Sequence, residues 1–223
     1  LPSPGQIADF YRSIARKGEQ IISIHLSSKL SGTFSSVQLA AREIEKEYSI
    51  QLFDSFAGSA ALGFMCRDVR KMIDRGCSME SIVLHLERMR NQFTVLFTLN
   101  SLEFARLNGR VSAVQSLVGS LLHIKPIIIL RDGLLEIGDK VRTRTASLYH
   151  VLNHVKRRLE ATPINAAVVH AGDYSTAEFL MDKMNEMMNI QELVMTDLAI
   201  PVAANLGPGT VGIVAYPTEL KDA

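Results

Sequence analysis

The chain has 223 residues, 47% of them hydrophobic, with 24 Lys and Arg against 23 Asp and Glu for a formal net charge of +1. That apolar share supplies a full core and argues against disorder. The balanced charge offers nucleic acid no basic field, and no apolar run reaches the length of a membrane span. The length allows one large or two small domains. Cys66 and Cys77 have neither metal-ligand spacing nor framework partners; they read as packing residues in a reduced, cytoplasmic setting, and no secretory signal is visible.

In chain order, Ser3, Pro4 and Gln6 form a capping box with a first-turn proline, opening a helix that Gly18 ends. Ile21–Leu26 reads as a strand, apolar on both sides as in the interior of a parallel sheet. A helix to about Tyr48 follows, then a strand at Ile50–Asp54. Gly58–Arg75 reads as a helix with Leu62, Met65, Val69, Met72 and Ile73 on one face, and Ser78 caps the next, which carries Ile82, Leu86 and Met89. This strand and helix alternation predicts an α/β layer architecture with mostly parallel strands. From Gln92 the pattern changes. Phe93–Leu99 is a strand, and short helices follow, one of them Ser112–Leu122. Asp132-Gly133 between Pro126–Leu130 and Leu134–Ile137 signals an antiparallel hairpin. Thr145–Leu159 and Ser175–Met188 read as helices; Ile164–His170, Leu193–Thr196 and Val211–Tyr216 read as strands. These changes place a domain boundary between residues 91 and 92.

The chemistry concentrates at Ser27-Ser28-Lys29-Leu30-Ser31-Gly32-Thr33. A hydroxyl-rich turn between strand and helix is suited to an anion, because the first helical turn carries unpaired N–H groups and partial positive charge. Gly32 lets a ligand approach the backbone, and Ser31 and Thr33 add short donors. The Gly-Lys-Ser/Thr ending of a P-loop is missing, so a triphosphate is not indicated. The plainer alternative is helix capping alone.

The stretch Ile22–Phe34, Ile-Ser-Ile-His-Leu-Ser-Ser-Lys-Leu-Ser-Gly-Thr-Phe, resembles the DegV family of bacterial fatty-acid-binding proteins. Four more segments match in order: Leu102–Ser112, Ile124–Ile127 with Asp132-Gly133, Lys140–Arg144, and Asn205–Gly209. The resemblance covers nearly the whole chain. It implies two α/β domains with a ligand between them, the first built on a mostly parallel sheet and incomplete here, the second on a mixed or antiparallel sheet.

The resemblance implies that Ser31 donates to the carboxylate of a long-chain fatty acid, with Gly32 and Thr33 beside it and no cofactor. The acyl chain would lie in an apolar tunnel whose lining includes Phe64, Met65, Phe97 and Leu121. Arg110, aimed by the turn Asn108-Gly109, reads as a head-group contact or as a partner of Glu103. Lys140, Arg142 and Arg144 alternate on a strand-like segment and form one cationic strip. In the family this region meets a separate ATP-dependent kinase that converts the bound acid to an acyl phosphate. Asn205 stands where the family has histidine, which puts that hand-off in doubt because asparagine does not titrate near neutral pH. His25 and His170 read as core or strand-end residues. The family's Thr-Ser-x-Pro-Ser motif and its first βα segment would lie before Leu1. The chain therefore reads as a fragment whose exposed strand edge favours a dimer.

The leading expectation is a non-catalytic fatty-acid carrier. One rival is a phosphotransfer or hydrolase enzyme, for which Asp54, Asp173 and Asp197 are too scattered to hold a metal. The other is a degenerate relative that keeps only the fold.

Overall fold

A computed structural model of the chain describes residues 1–112, 124–159 and 162–221. The helix α1 (Pro4–Ile14) begins at the capping box: Ser3 Oγ accepts from the Gln6 amide, and the Ser3 amide donates to Gln6 Oε1 at 2.9 Å. Strands β1 (Gln20–His25) and β2 (Ser49–Asp54) pair in parallel as a two-stranded sheet, connected through α2 (Thr33–Glu43). Helices α1 and α2 cover one face of this small sheet, through Ile7, Tyr11, Val37, Ala40 and Ile44 packed with Ile21 and Leu52.

The chain continues through α3 (Ala60–Asp74), α4 (Met79–Gln92), β3 (Thr94–Thr98), α5 (Glu103–Asn108), β4 (Val111–Ser112), β5 (Lys125–Arg131) and β6 (Leu134–Val141). It closes with α6 (Arg144–Leu159), β7 (Ile164–His170), α7 (Tyr174–Met187), β8 (Ile190–Asp197), α8 (Ile200–Leu206) and β9 (Val211–Pro217). The second sheet has seven strands in the order β4-β6-β5-β3-β9-β7-β8, with parallel and antiparallel pairs mixed. The α/β class, with one parallel and one mixed sheet, is as the sequence predicts. The Asp132-Gly133 turn joins β5 to β6 with both residues at positive φ, 48° and 80°.

Side-chain alternation along β3 divides the core. Val95 and Phe97 join Phe64, Met65, Leu86 and Met89 of α3 and α4 on one face. Leu96 joins Leu152 and Val155 of α6 and Leu180 of α7 on the other. Helices α3 and α4 thus precede β3 in the chain yet bury their stripes on the large sheet, and a cut between residues 91 and 92 would expose both.

Several expectations change. Strand β1 is half-buried from Ile21 onward, and β2 is its one strand neighbour among the described residues. One of its faces is partly polar: Tyr11 Oη lies 2.6 Å from Ser23 Oγ, which lies 2.7 Å from His25 Nε2. The α3 stripe runs through Ala61, Phe64, Met65 and Val69, which leaves Ile73 48% exposed and turns Cys66 outward. Cys77, in the turn after α3, is exposed too, so neither cysteine is a packing residue. The helix expected at Ser112–Leu122 lies outside the described residues apart from its first residue, which ends β4.

Candidate functional site between the two sheets

The turn after β1 is held from both sides. The buried Ser27 donates through Oγ to the Gly133 carbonyl at 2.7 Å, and its amide donates to the Ala57 carbonyl at 2.8 Å. Asp54, at the end of β2, accepts from the amides of Ser28 and Phe56, each at 3.2 Å. Within the turn, Ser31 Oγ accepts from the Thr33 amide at 3.2 Å and lies 2.8 Å from Thr33 Oγ1. The N-cap of α2 is Gly32, which caps nothing with a side chain. Ser31 therefore ties one amide two residues ahead, and the hydrogen bond between the two hydroxyls uses one of their protons and leaves the other for another acceptor. Burial lowers the pKa of the neighbouring His25, with the Asp54 charge opposing, so its ring favours the neutral form.

Above this turn a cavity of about 430 Å³ opens between the two sheets. Leu26, Leu30, Ser31 and Thr33 line one side; Val95, Phe97, Leu130 and Leu135 come from the large sheet. Gly58 and Ser59 enter ahead of α3, Asn108 and Arg110 follow α5, and α8 supplies Pro201, Val202, Ala204 and Asn205. The wall is mostly apolar, with a few hydroxyl, amide and guanidinium groups set in it, the usual make-up of a site for an amphipathic small molecule. Its volume falls within the ~300–1,000 Å³ common for ligand pockets.

Ser31, Thr33, Arg110 and Asn205, far apart in sequence, thus share one cavity. Gly32 is exposed beside it. Gly109, rather than Asn108, takes the left-handed conformation that turns the chain toward Arg110. Arg110 donates to the Asn108 carbonyl at 2.7 Å, not to Glu103. Asn108 Nδ2 donates to the Ala204 carbonyl at 3.0 Å and fastens α5 to α8. Asn205 spends one amide hydrogen on the Pro201 carbonyl at 2.6 Å, and the second remains for a ligand.

Other expected residues lie elsewhere. Phe64 and Met65 are buried in the core, Phe64 with its ring centroid 5.2 Å from that of Tyr216, so of the described candidates for the apolar lining only Phe97 faces the cavity. Leu121 is outside the described residues. Lys140 and Arg142 are exposed at the end of β6. Arg144 does not continue their strip. The strand stops at Val141, and Arg144 begins α6, donating to Asp173 Oδ2 at 2.9 Å and the Gly209 carbonyl at 2.7 Å. Burial alone would raise the pKa of Asp173, but hydrogen bonds from Thr176 and Arg144 hold it below the usual carboxylate range. Asp173 caps α7, Asp54 holds the turn after β1, and Asp197 is exposed at the end of β8, so the three carboxylates stand at separate places. Among the described residues no group of three or more His, Cys, Asp or Glu is placed to hold a metal ion, and no helix is long and apolar enough to cross a membrane.

Two site elements escaped the sequence reading. Helix α8 was signalled only by Pro201 near its start. Ser59 sits at positive φ, 52°, and its Oγ accepts from the Ala199 amide at 3.1 Å, linking the start of α3 to the start of α8.

A profile of the DegV family, described as an uncharacterised protein family, matches residues 1–218. The chain is 29% identical over 218 residues to a DegV domain-containing protein of Deinococcus radiodurans, covering 97% of this chain and 76% of that protein. It is 30% identical over 215 residues to one of Streptomyces coelicolor, covering 96% and 76%. Among solved structures, a fatty-acid-binding DegV family protein from Thermus thermophilus superimposes with a TM-score of 0.90 at 30% identity, over 97% of this chain and 78% of that one. DegV of Bacillus subtilis, a fatty acid binding protein, does so with a TM-score of 0.86 at 28% identity, over 98% and 78%. With a profile match over nearly its full length, the chain belongs to the DegV family.

Proposed function

We propose that this chain binds a long-chain fatty acid without chemically changing it. The observation that carries the reading is the shared cavity, which sets the Ser31 and Thr33 hydroxyls into an apolar wall. Ser31 Oγ, already accepting from the Thr33 amide, donates its proton to the carboxylate, and the Thr33 hydroxyl and the first amides of α2 share the negative charge. Arg110 and Asn205 supply further donors. The acyl chain lies against Phe97, Leu130 and Leu135. Burying about fourteen methylenes at ~0.8 kcal/mol each gives roughly 11 kcal/mol gross, enough to leave tight binding after the costs of association. The fatty-acid binding of the Thermus thermophilus and Bacillus subtilis relatives supports the reading.

The proposal extends to a cytoplasmic carrier that offers its carboxylate to a separate kinase, with Lys140 and Arg142 as the exposed cations that meet it. Ser31→Ala is expected to weaken fatty-acid binding by roughly 10- to 100-fold, the loss of one hydrogen bond to a charged group. Arg142→Ala is expected to keep the affinity within a factor of a few and to slow a kinase-coupled assay; Asn205→His is expected to speed it. A binding titration, with mass spectrometry of the solvent-extracted protein to identify the acid, checks these outcomes. Loss of binding in Arg142→Ala with none in Ser31→Ala would place the head group elsewhere.

Pairing with a second copy along the edge of β1 that no described strand covers is a separate part of the proposal. Light scattering is expected to report a dimer, and a monomer at high concentration argues against it.

A further inference from the structure

A second recess, of about 470 Å³, lies where β3 and β5 separate. The two strands pair from Thr98↔Ile127 to Leu96↔Ile129, so Thr94, Val95, Leu130 and Arg131 fall beyond the paired part. Val95 and Leu130 also line the first cavity, but the polar lining here is different: Arg90, Asn91, Thr94, Arg131, His154 and Arg158.

Two observations point to a ligand. First, Thr94 is only 6% exposed, and its Oγ1 finds no hydrogen-bond partner among the described residues. Alternation along β3 puts Thr94 on the same face as Thr98, whose Oγ1 donates to Ser147 Oγ of α6 at 2.7 Å. Thr94 is thus directed toward the later turns of α6, where His154 and Arg158 enter the recess. An unpaired buried hydroxyl carries a desolvation cost that a ligand oxygen would remove.

Second, three arginines from three separate elements line the same recess as this hydroxyl. Arg90 of α4 is fixed by its bond to the Asp54 carbonyl at 3.2 Å and by the rings of Phe53 and Phe56, 5.2 and 5.0 Å away. Arg131 ends β5, 3.4 Å from Glu136. Arg158 stands on the exposed side of α6. Asp132 is the one acidic residue in the lining. Burial and the nearby Arg157 lower the pKa of His154, which leaves its ring a neutral hydrogen-bonding group. A flexible ammonium would neutralise an anion at a point, whereas several planar guanidinium forks match the oxygens of a tetrahedral one.

We infer that this recess is a second binding site, for a phosphate group, formed by Arg90, Arg131 and Arg158 around Thr94 Oγ1. The phosphate comes either from a soluble phosphate ester or from the head group of an anionic phospholipid. Neither source involves the Ser31 turn, so the inference stands or falls apart from the fatty-acid reading.

The test uses the full chain in phosphate-free buffer. Calorimetric titration with inorganic phosphate is expected to show saturable binding, weakened about tenfold in Arg131→Ala and in Arg158→Ala but unchanged in Arg70→Ala, an exposed arginine on α3 paired with Asp74. Thr94→Val keeps the side-chain shape and removes the unpaired oxygen. It is expected to melt at or above the parent temperature without phosphate, and to lose most of the upward shift that phosphate gives the parent. In the second arm, vesicles of phosphatidylcholine with and without phosphatidylglycerol are sedimented with the protein. Binding only to the anionic vesicles, lost in the same variants, supports the site and identifies a lipid head group as the source. No saturable binding in either arm overturns the inference, and so does an equal loss in Arg70→Ala.

Discussion

Gly58→Phe is expected to leave the protein folded and to remove about a thousandfold of its affinity for a long-chain acid. Gly58 stands in the cavity wall between β2 and α3. A Cβ there meets only Val202 Cγ2, at 4.0 Å, so the first added carbon fits without movement. The ring beyond it enters space that an acyl chain would use beside Leu30, Phe97 and Val202. Excluding about five methylenes at ~0.8 kcal/mol each forfeits roughly 4 kcal/mol, close to three powers of ten in affinity. The apolar ring also fills a void, so the melting temperature should hold or rise. Competition against a fluorescent fatty acid, alongside a melting curve, measures both. A folded variant that binds as tightly as its parent would move the acyl chain out of this cavity.

The part of this site that sequence revealed is the part built from neighbours in the chain. The Ser27–Thr33 turn could be read because an apolar strand, hydroxyl residues and an amphipathic helix follow one another without a break. Its supports could not be. Ser27 Oγ reaches a carbonyl 106 residues away, and Asp54 reaches the Ser28 amide across 26. Helix α8 has seven residues, too few for a periodic stripe to stand out. Arg144 shows a different limit. A period of two read from Lys140 onward passes through the end of β6, where the chain changes conformation and the next arginine turns inward to Asp173. The apolar tunnel shows a third: an apolar stripe on α3 predicts burial, but not whether the face meets a ligand or a sheet. Phe64 and Met65 meet the sheet.

Gly212→Ala is expected to be among the most damaging small substitutions in the chain, because it acts on fold and site at once. Gly212 lies on β9 between β3 and β7, opposite Phe97 on one side and Val169 on the other. A Cβ there would lie 2.5 Å from the Leu96 carbonyl oxygen and closer still to the Phe97 ring. The backbone of a central strand cannot yield without straining its pairing with both neighbours. The ring can shift only by disturbing the packing it shares with the core and the cavity wall. Overpacking of this kind costs about 3 kcal/mol, a large part of a total stability of ~5–15 kcal/mol. For a chain of this size that lowers the melting temperature by roughly 6–12 °C. Fatty-acid affinity is expected to fall with it, because Phe97 lines the cavity. Gly63→Ala is the matched control: Gly63 is exposed on α3, and a Cβ there meets nothing within 4 Å. The same methyl group should there add about 0.5–1 kcal/mol, by restricting the unfolded chain and favouring the helix. Two Gly→Ala changes of opposite sign, one costing both stability and binding and the other neither, would show that Gly212 is required by the close approach of Phe97. A Gly212→Ala protein that melts with its parent and binds as its parent does would refute that packing.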